Sequence, residues 1–370
     1  MKLIIKYLGL SVLLMLFLFL FGCSESSTPT DAEMRTAVSD PDETNLSEGT
    51  AQATGKIVVA NRASGSISVI NVRDDAVSGT YNLPAATNTP EPMYVVYVNQ
   101  TRQVFVGDRA NNRLVVYNSH SFNEEGTVNV GAGVFHMWAD QRGKQLWVNN
   151  DIDNTTSVID PRNLQVIATV PTPSDLVALG GKPHDVILDH KGKFAYITVL
   201  GVSGPNDYVV QFDTDSFLET GRAAVGKDPH VSLTRQNKEL YVPCQNSNAV
   251  YILDRYSMAV ESVVSAAGAH GAGMPMHGKT FYTTNLPGGG TAGLIALDTK
   301  SNTVIGTSDT PYPVPHNIAI TKESHKLYVT HSGGSSDKVT VYSISPKNPL
   351  PVFVAEVTVE FNPFGLAYVK

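Results

Sequence analysis

Residues 326–331 read KLYVTH, and the phrase returns along the chain as KIVVAN (56–61), QVFVGD (103–108), QLWVNN (145–150), ELYVPC (239–244) and TFYTTN (280–285), with a weaker copy in FAYITV (194–199). Each copy is followed, after a short polar loop, by an alternating run such as SISVINV, RLVVYNS, YVVQFDT or AVYILDR. Period-two alternation bounded by turn residues is the pattern of short strands. Each later copy is preceded by another apolar run, the runs starting at Met93, His136, His184, His230, His270, His316 and Phe364. Those starts are 43, 48, 46, 40, 46 and 48 residues apart. A period of this length built from short strands predicts an all-β fold: a seven-bladed β-propeller of four-stranded blades over residues 55–370. The first unit (55–84) lacks the leading strand of the others, and the chain ends in PFGLAYVK (363–370), a leading strand with nothing after it. Pairing the two, with Phe364 to Lys370 as the inner strand of the first blade, closes the ring and removes both open edges.

Composition agrees with this reading. A 42% hydrophobic and 16% charged content excludes a disordered chain, and 30 Gly and 21 Pro argue against a helical bundle. A net charge of −7 leaves no basic surplus to displace counterions from phosphates, so nucleic acid is not an expected partner. The chain has two cysteines and neither Cys-x-x-Cys nor Cys-x-x-Cys-His, which excludes a zinc ribbon, a thioredoxin-type pair and a covalent c-type haem.

Lys2 and Lys6 precede an uncharged, mostly apolar run from Tyr7 to Phe21, shorter than the roughly 20 residues a spanning helix needs. The run ends in Leu20-Phe21-Gly22-Cys23 and resembles a bacterial lipoprotein signal, which implies cleavage after residue 22 and lipidation of Cys23. Residues 23–54 then form an acidic tether: from Ser24 onward it carries seven acids against one base, and no aromatics. The mature chain would hold 25 basic and 34 acidic residues, and Cys244 as its one free thiol. The expected place is the bacterial cell envelope. Ser24 after the lipidated position favours, by resemblance to Gram-negative sorting, the outer membrane, and the protein is expected to be a membrane-anchored monomer.

The phrases YVTH (328–331), YTTN (282–285) and YVPC (241–244) resemble the YVTN family of seven-bladed propellers over all of 55–370. Related propellers include lactonases, haem-binding domains of nitrite reductases and copper-binding hubs, so the resemblance implies a fold and leaves the chemistry open. Positions that the repeat does not require carry that chemistry. Aligning the blades places a histidine at the first residue of the inner strand in five consecutive units, His136, His184, His230, His270 and His316, with Met93 and Phe364 closing the arc. A second ring follows 14 or 15 residues later, at Asp108, Asn150, Val199, Cys244, Asn285 and His331, with Asn61 in the first blade. The other histidines, His120, His190, His277 and His325, fall in turns expected on the opposite face.

Converging neutral imidazoles bind Cu, Zn, Fe or Ni. With Met93, Cys244 and His331 nearby, the expectation is one transition-metal ion, copper before zinc or iron, or a metal-bearing cofactor, possible redox activity included. The position of the arc resembles the multi-histidine copper hub of nitrous oxide reductase, though neither the count nor the surrounding motif matches. Two other readings stand beside it: a noncatalytic scaffold binding an envelope protein on its top face, and a lactonase-type hydrolase, for which Asp108 is the carboxylate nearest the arc. No Gly-x-Ser-x-Gly elbow and no phosphate-cradling glycine loop occurs. Three loops, Pro171–Pro183, Pro287–Gly293 and Ser332–Asp337, are expected at the same face as the arc.

Overall fold

A computed structural model describes residues 54–230, 233–235, 237–323 and 325–370. The expected leader, Cys23 and the tether as far as residue 53 lie outside the described residues. The rest forms seven four-stranded antiparallel sheets arranged as the blades of a propeller. Their inner strands, from blade one to blade seven, are Pro363–Val369, Pro92–Val98, Val134–Ala139, Lys182–Leu188, Leu233–Arg235, Ala269–Gly273 and Pro315–Ile320.

The repeated phrase is the second strand of each blade. In Lys326–His331 five of the six residues are buried, because both faces of the strand are covered by neighbouring blades. This explains why the phrase reads as a continuous apolar run, whereas the outermost strands, such as Val352–Thr358, alternate and stay largely exposed. The core lies between blades: Ile57 and Val59 of blade one pack with Tyr328, Val339 and Val341 of blade seven. The Asp or Asn that ends most third strands starts the turn to the fourth. Asp213, Asp254 and Asp298 each accept backbone N–H groups two and three residues on, and Asn118 does the same.

Closure follows the expected route and begins one residue earlier than expected. Pro363–Val369 pairs with Lys56–Asn61, with Lys56 opposite Val369 and Val59 opposite Leu366. Val369 is fully buried and Phe364 nearly so. Deleting residues 363–370 therefore removes at least two buried side chains, together worth more than about 5 kcal/mol, the low end of the whole stability of a domain. It also exposes two sheet edges. The truncated protein should lose its sharp thermal transition in calorimetry, whereas a transition of unchanged midpoint and width would show that the ring does not depend on this strand.

Candidate functional site

The register of each inner hairpin fixes which residues share a level of the channel. The residues opposite the second-strand ends are Pro363, Pro92, Val134, Pro183, Pro229, Ala269 and Pro315. The next residue in each blade forms the upper ring: Phe364, Met93, Phe135, His184, His230, His270 and His316. Thus four consecutive blades supply imidazoles, and blade three supplies Phe135. His136, expected at the same level, lies one residue further along, beside Tyr94 (centroids 4.7 Å apart) and at the level of Asp185 and Asn317.

The ring plugs the channel. Neighbouring ring centroids run Phe135–His184 4.3 Å, His184–His230 4.9 Å, His230–His270 3.7 Å, His270–His316 4.6 Å and His316–Phe364 4.1 Å, and Phe135 and Phe364 come within 6.3 Å. Met93 sits between these two phenylalanines in the ring order and packs in their apolar cluster.

Side chains on the second strands hold this level in place. Register shifts occur in six of the inner hairpins just after the ring residue. The freed N–H groups of Asp185, Gly271 and Asn317 donate to the hydroxyls of Thr198, Thr284 and Thr330. Thr284 and Thr330 donate in turn to the carbonyls of His316 and Phe364 in the next blade, and Asn149 does the same to His184. Gly271 is required here, because a Cβ would lie 2.1 Å from the His316 carbonyl oxygen.

One carboxylate lies one residue beyond the ring on its imidazole side. Asp185 is 2% exposed, and neither of its oxygens has a hydrogen-bond partner among the described residues. Its Oδ1 is 3.4 Å from His184 Nδ1, and its Oδ2 is 4.0 Å from His230 Nδ1. Burial alone would raise its pKa, yet the surrounding His136, His184 and His230 hold it down at about 2. A buried ionised carboxylate without hydrogen bonds needs a cation beside it.

The histidines are not equivalent as partners for that charge. His136 Nδ1 accepts the Val186 N–H at 3.1 Å, which fixes its proton on Nε2, and burial lowers its pKa. Burial, then the other imidazoles, drive His270 well below the usual histidine value, and its Nδ1 lies 2.8 Å from the side-chain Oε1 of Gln245. His316 is pushed down to about 3, chiefly by burial, and its Nδ1 accepts from Asn317 Nδ2. His184 Nδ1 and both nitrogens of His230 have no hydrogen-bond partner among the described residues. His230 Nε2 lies 3.2 Å from Asp228 Oδ1, while its Nδ1 lies 4.0 Å from Asp185 Oδ2. His184, Asp185 and His230 each present one ligand atom within 4.8 Å of the others.

The second ring is where the spacing placed it, opposite the inner-strand starts, but its side chains are occupied within the blades. Asp108 is bonded to Arg113 and Asn111, so it is not the carboxylate of the arc. His331 uses both nitrogens, toward the Pro313 carbonyl and the Thr340 hydroxyl. Cys244 is buried against the Val242 carbonyl, and burial raises its thiol pKa. The structure therefore turns His331 and Cys244 into their blades and places Met93 on the apolar side of the ring. Of the expected loops, Pro171–Pro183 is anchored by a short helix, Ser174–Ala178, whose Leu176 is buried between blades.

The family model described as lactonase, 7-bladed β-propeller, matches residues 32–269. No curated protein matches the chain. Among solved structures it is similar to a putative 6-phosphogluconolactonase of Bacteroides fragilis, at 15% identity and a TM-score of 0.67, covering 90% of this chain and 100% of that one. A periplasmic gluconolactonase of Pseudomonas aeruginosa gives 15% identity and 0.66, covering 85% and 99%. Hydrazine synthase of Kuenenia stuttgartiensis gives 16% and 0.62, covering 77% and 91%. At such identities the likeness is one of fold. Matched over more than half of its length, the chain belongs to the lactonase family of seven-bladed β-propellers.

Proposed function

We propose that the protein binds one divalent transition-metal ion at the ring, through His184, His230 and the carboxylate of Asp185, with His270 as the adjacent fourth donor. The observation that carries this is geometric: the buried Asp185 carboxylate lies 3.4 Å from His184 Nδ1 and 4.0 Å from His230 Nδ1, and the three residues each offer a ligand atom within 4.8 Å of the others. The 3.4 Å separation is close to the ~3.3 Å edge of a tetrahedral site with ligands at about 2.0–2.1 Å. His230 Nδ1, 4.0 Å from Asp185 Oδ2, would have to move in to complete the site. With sulfur donors absent from the cluster, the imidazole and carboxylate set suits Zn2+, Cu2+ or Fe2+ and offers no reason to prefer Cu+.

Protein purified without chelator or tag should contain about one such ion per chain by elemental analysis. The double variant His184→Ala, His230→Ala should lose at least about 100-fold in affinity, more than the loss of a ligand's supporting hydrogen bond typically costs. Saturating metal should raise stability by about 4 kcal/mol at a thousandfold excess over Kd, and this gain should vanish in the variant. Failure to take up Zn, Cu, Fe or Ni would overturn the reading.

Family membership favours a second reading at the same cluster, a lactone hydrolase in which the bound ion or His184 activates water. Glucono-δ-lactone hydrolysis above the spontaneous rate in a pH-stat, lost in Asp185→Asn, would support it. No excess rate, with or without added Zn2+, would leave metal binding without hydrolysis.

We also propose that the chain is exported and anchored by lipid on Cys23, on the strength of the leader sequence. Cys23→Ser should accumulate as unprocessed precursor and lose the lipid label. Normal processing of that variant would contradict the anchor.

A further inference from the structure

On the face opposite the ring, blades one and two border a cavity of about 720 Å3, within the range of pockets that hold small molecules. It opens between the starts of the second strands Lys56–Asn61 and Gln103–Asp108, whose far ends lie beside the level of the ring. Every residue of blades one and two is among the described ones, so the composition of this wall is known on both sides.

The wall is cationic. Lys56, Arg102 and Lys370 line it together with His120, and no side-chain carboxylate does. Even with the α-carboxylate of Lys370 set against these three fixed charges, two positive charges are in excess, in a chain whose net charge is −7. Carboxylates on the adjoining turns are engaged elsewhere: Asp75 by Lys326 and Tyr328, and Glu125 by the side-chain amides of Gln103 and Asn118. The sequence leading to the cavity edge at Gly55, Ala51-Gln52-Ala53-Thr54, carries no charge.

Lys56 is fixed in place as a donor. Its Nζ donates to the carbonyls of Ser119 and His120 at 3.2 and 3.3 Å and lies 4.7 Å from the centroid of the Phe122 ring. An ammonium has three N–H bonds, so one remains for a ligand. Burial lowers its pKa and no carboxylate offsets that effect. Arg102 and Lys370 are exposed, and their side chains make no hydrogen bond or ion pair among the described residues, so both are free to close over a ligand at the opening. A guanidinium beside two ammonium groups matches a phosphate monoester, which carries up to two negative charges and accepts from several donors at once.

We propose that this cavity binds a phosphate monoester, as a lipid headgroup or a soluble phosphorylated compound, through Lys56, Arg102 and Lys370. The volume leaves room for the group that the phosphate esterifies. Binding does not depend on the ion proposed at the ring, which lies at the other end of the second strands.

Full-length protein in an uncharged detergent, with chelator present to keep the ring free of metal, should bind dihexanoylphosphatidic acid in calorimetry. Dihexanoylphosphatidylcholine, which has no net charge, should bind at least about tenfold more weakly. Glycerol 3-phosphate separates the two sources. An affinity within about threefold of the lipid's assigns the site to soluble phosphates, a weaker one assigns it to headgroups, and both support phosphate binding. The double variant Arg102→Gln, Lys370→Gln should keep the parent's melting temperature yet bind phosphatidic acid at least about tenfold more weakly, the loss of charged hydrogen bonds. The parent's affinity should fall at least about threefold as salt rises from about 0.01 M to about 0.1 M, which shortens the Debye length from about 30 Å to about 10 Å. His184→Ala, His230→Ala should bind phosphatidic acid as the parent does, which keeps this site distinct from the ring. The proposal fails if neither phosphate binds, if phosphatidylcholine binds as well as phosphatidic acid, if Arg102→Gln, Lys370→Gln binds as tightly as the parent, or if the ring variant loses binding.

Discussion

The pairing of Lys56–Asn61 with Pro363–Val369 is the contact on which the rest of the molecule depends. Seven sheets standing radially bury their faces only against one another, so a ring left open would expose an apolar blade face at each end. The same strand completes the site. Phe364 closes the plug beside His316, and its carbonyl receives the hydrogen bonds of Thr330 and Asn317 from blade seven. Fold closure and the geometry of the upper ring therefore rest on the same eight residues of chain.

The ring divides into two chemical halves. Met93, Phe135 and Phe364 form an apolar side, and His184, His230, His270 and His316 form a polar one. Crowding and burial push His270 and His316 toward neutrality, so neither supplies the positive charge that Asp185 requires. That charge has two physical sources: a proton shared by His184 and His230, or a metal ion ligated by them. The carboxylate of Asp228 beside His230 Nε2 serves either source, since it stabilises a protonated imidazole and also supports one that ligates through Nδ1.

The blade count, the strand pattern and the closing strand were legible because burial on both faces forces the second strand of every blade to repeat the same apolar phrase. The level of the ring was legible to within one residue. His136 follows Phe135, and aligning on histidine selected the wrong member of the pair. The distance to the second-strand end gave only a partial hint: it is 15 residues from His184, His270, His316 and Phe135, but 14 from His230, which is nevertheless in the ring, as it is from His136, which is not. Asp185 was hidden for another reason. It sits in the irregular part of the inner strand, where side-chain direction does not follow simple alternation, and only the register shift at Pro183/Val186 places it among the imidazoles. Cys244 and His331 show the opposite error, since a correct position along the strand did not reveal that their side chains turn into the blade.

Anomalous diffraction from crystals grown with Zn2+ tests the central claim most directly, because it locates the ion without relying on activity or affinity. The account predicts one strong peak about 2.0–2.2 Å from a nitrogen of His184, a nitrogen of His230 and an oxygen of Asp185. A peak only at surface histidines such as His120 or His325, with the Asp185 carboxylate hydrogen-bonded to a protonated imidazole, would contradict it.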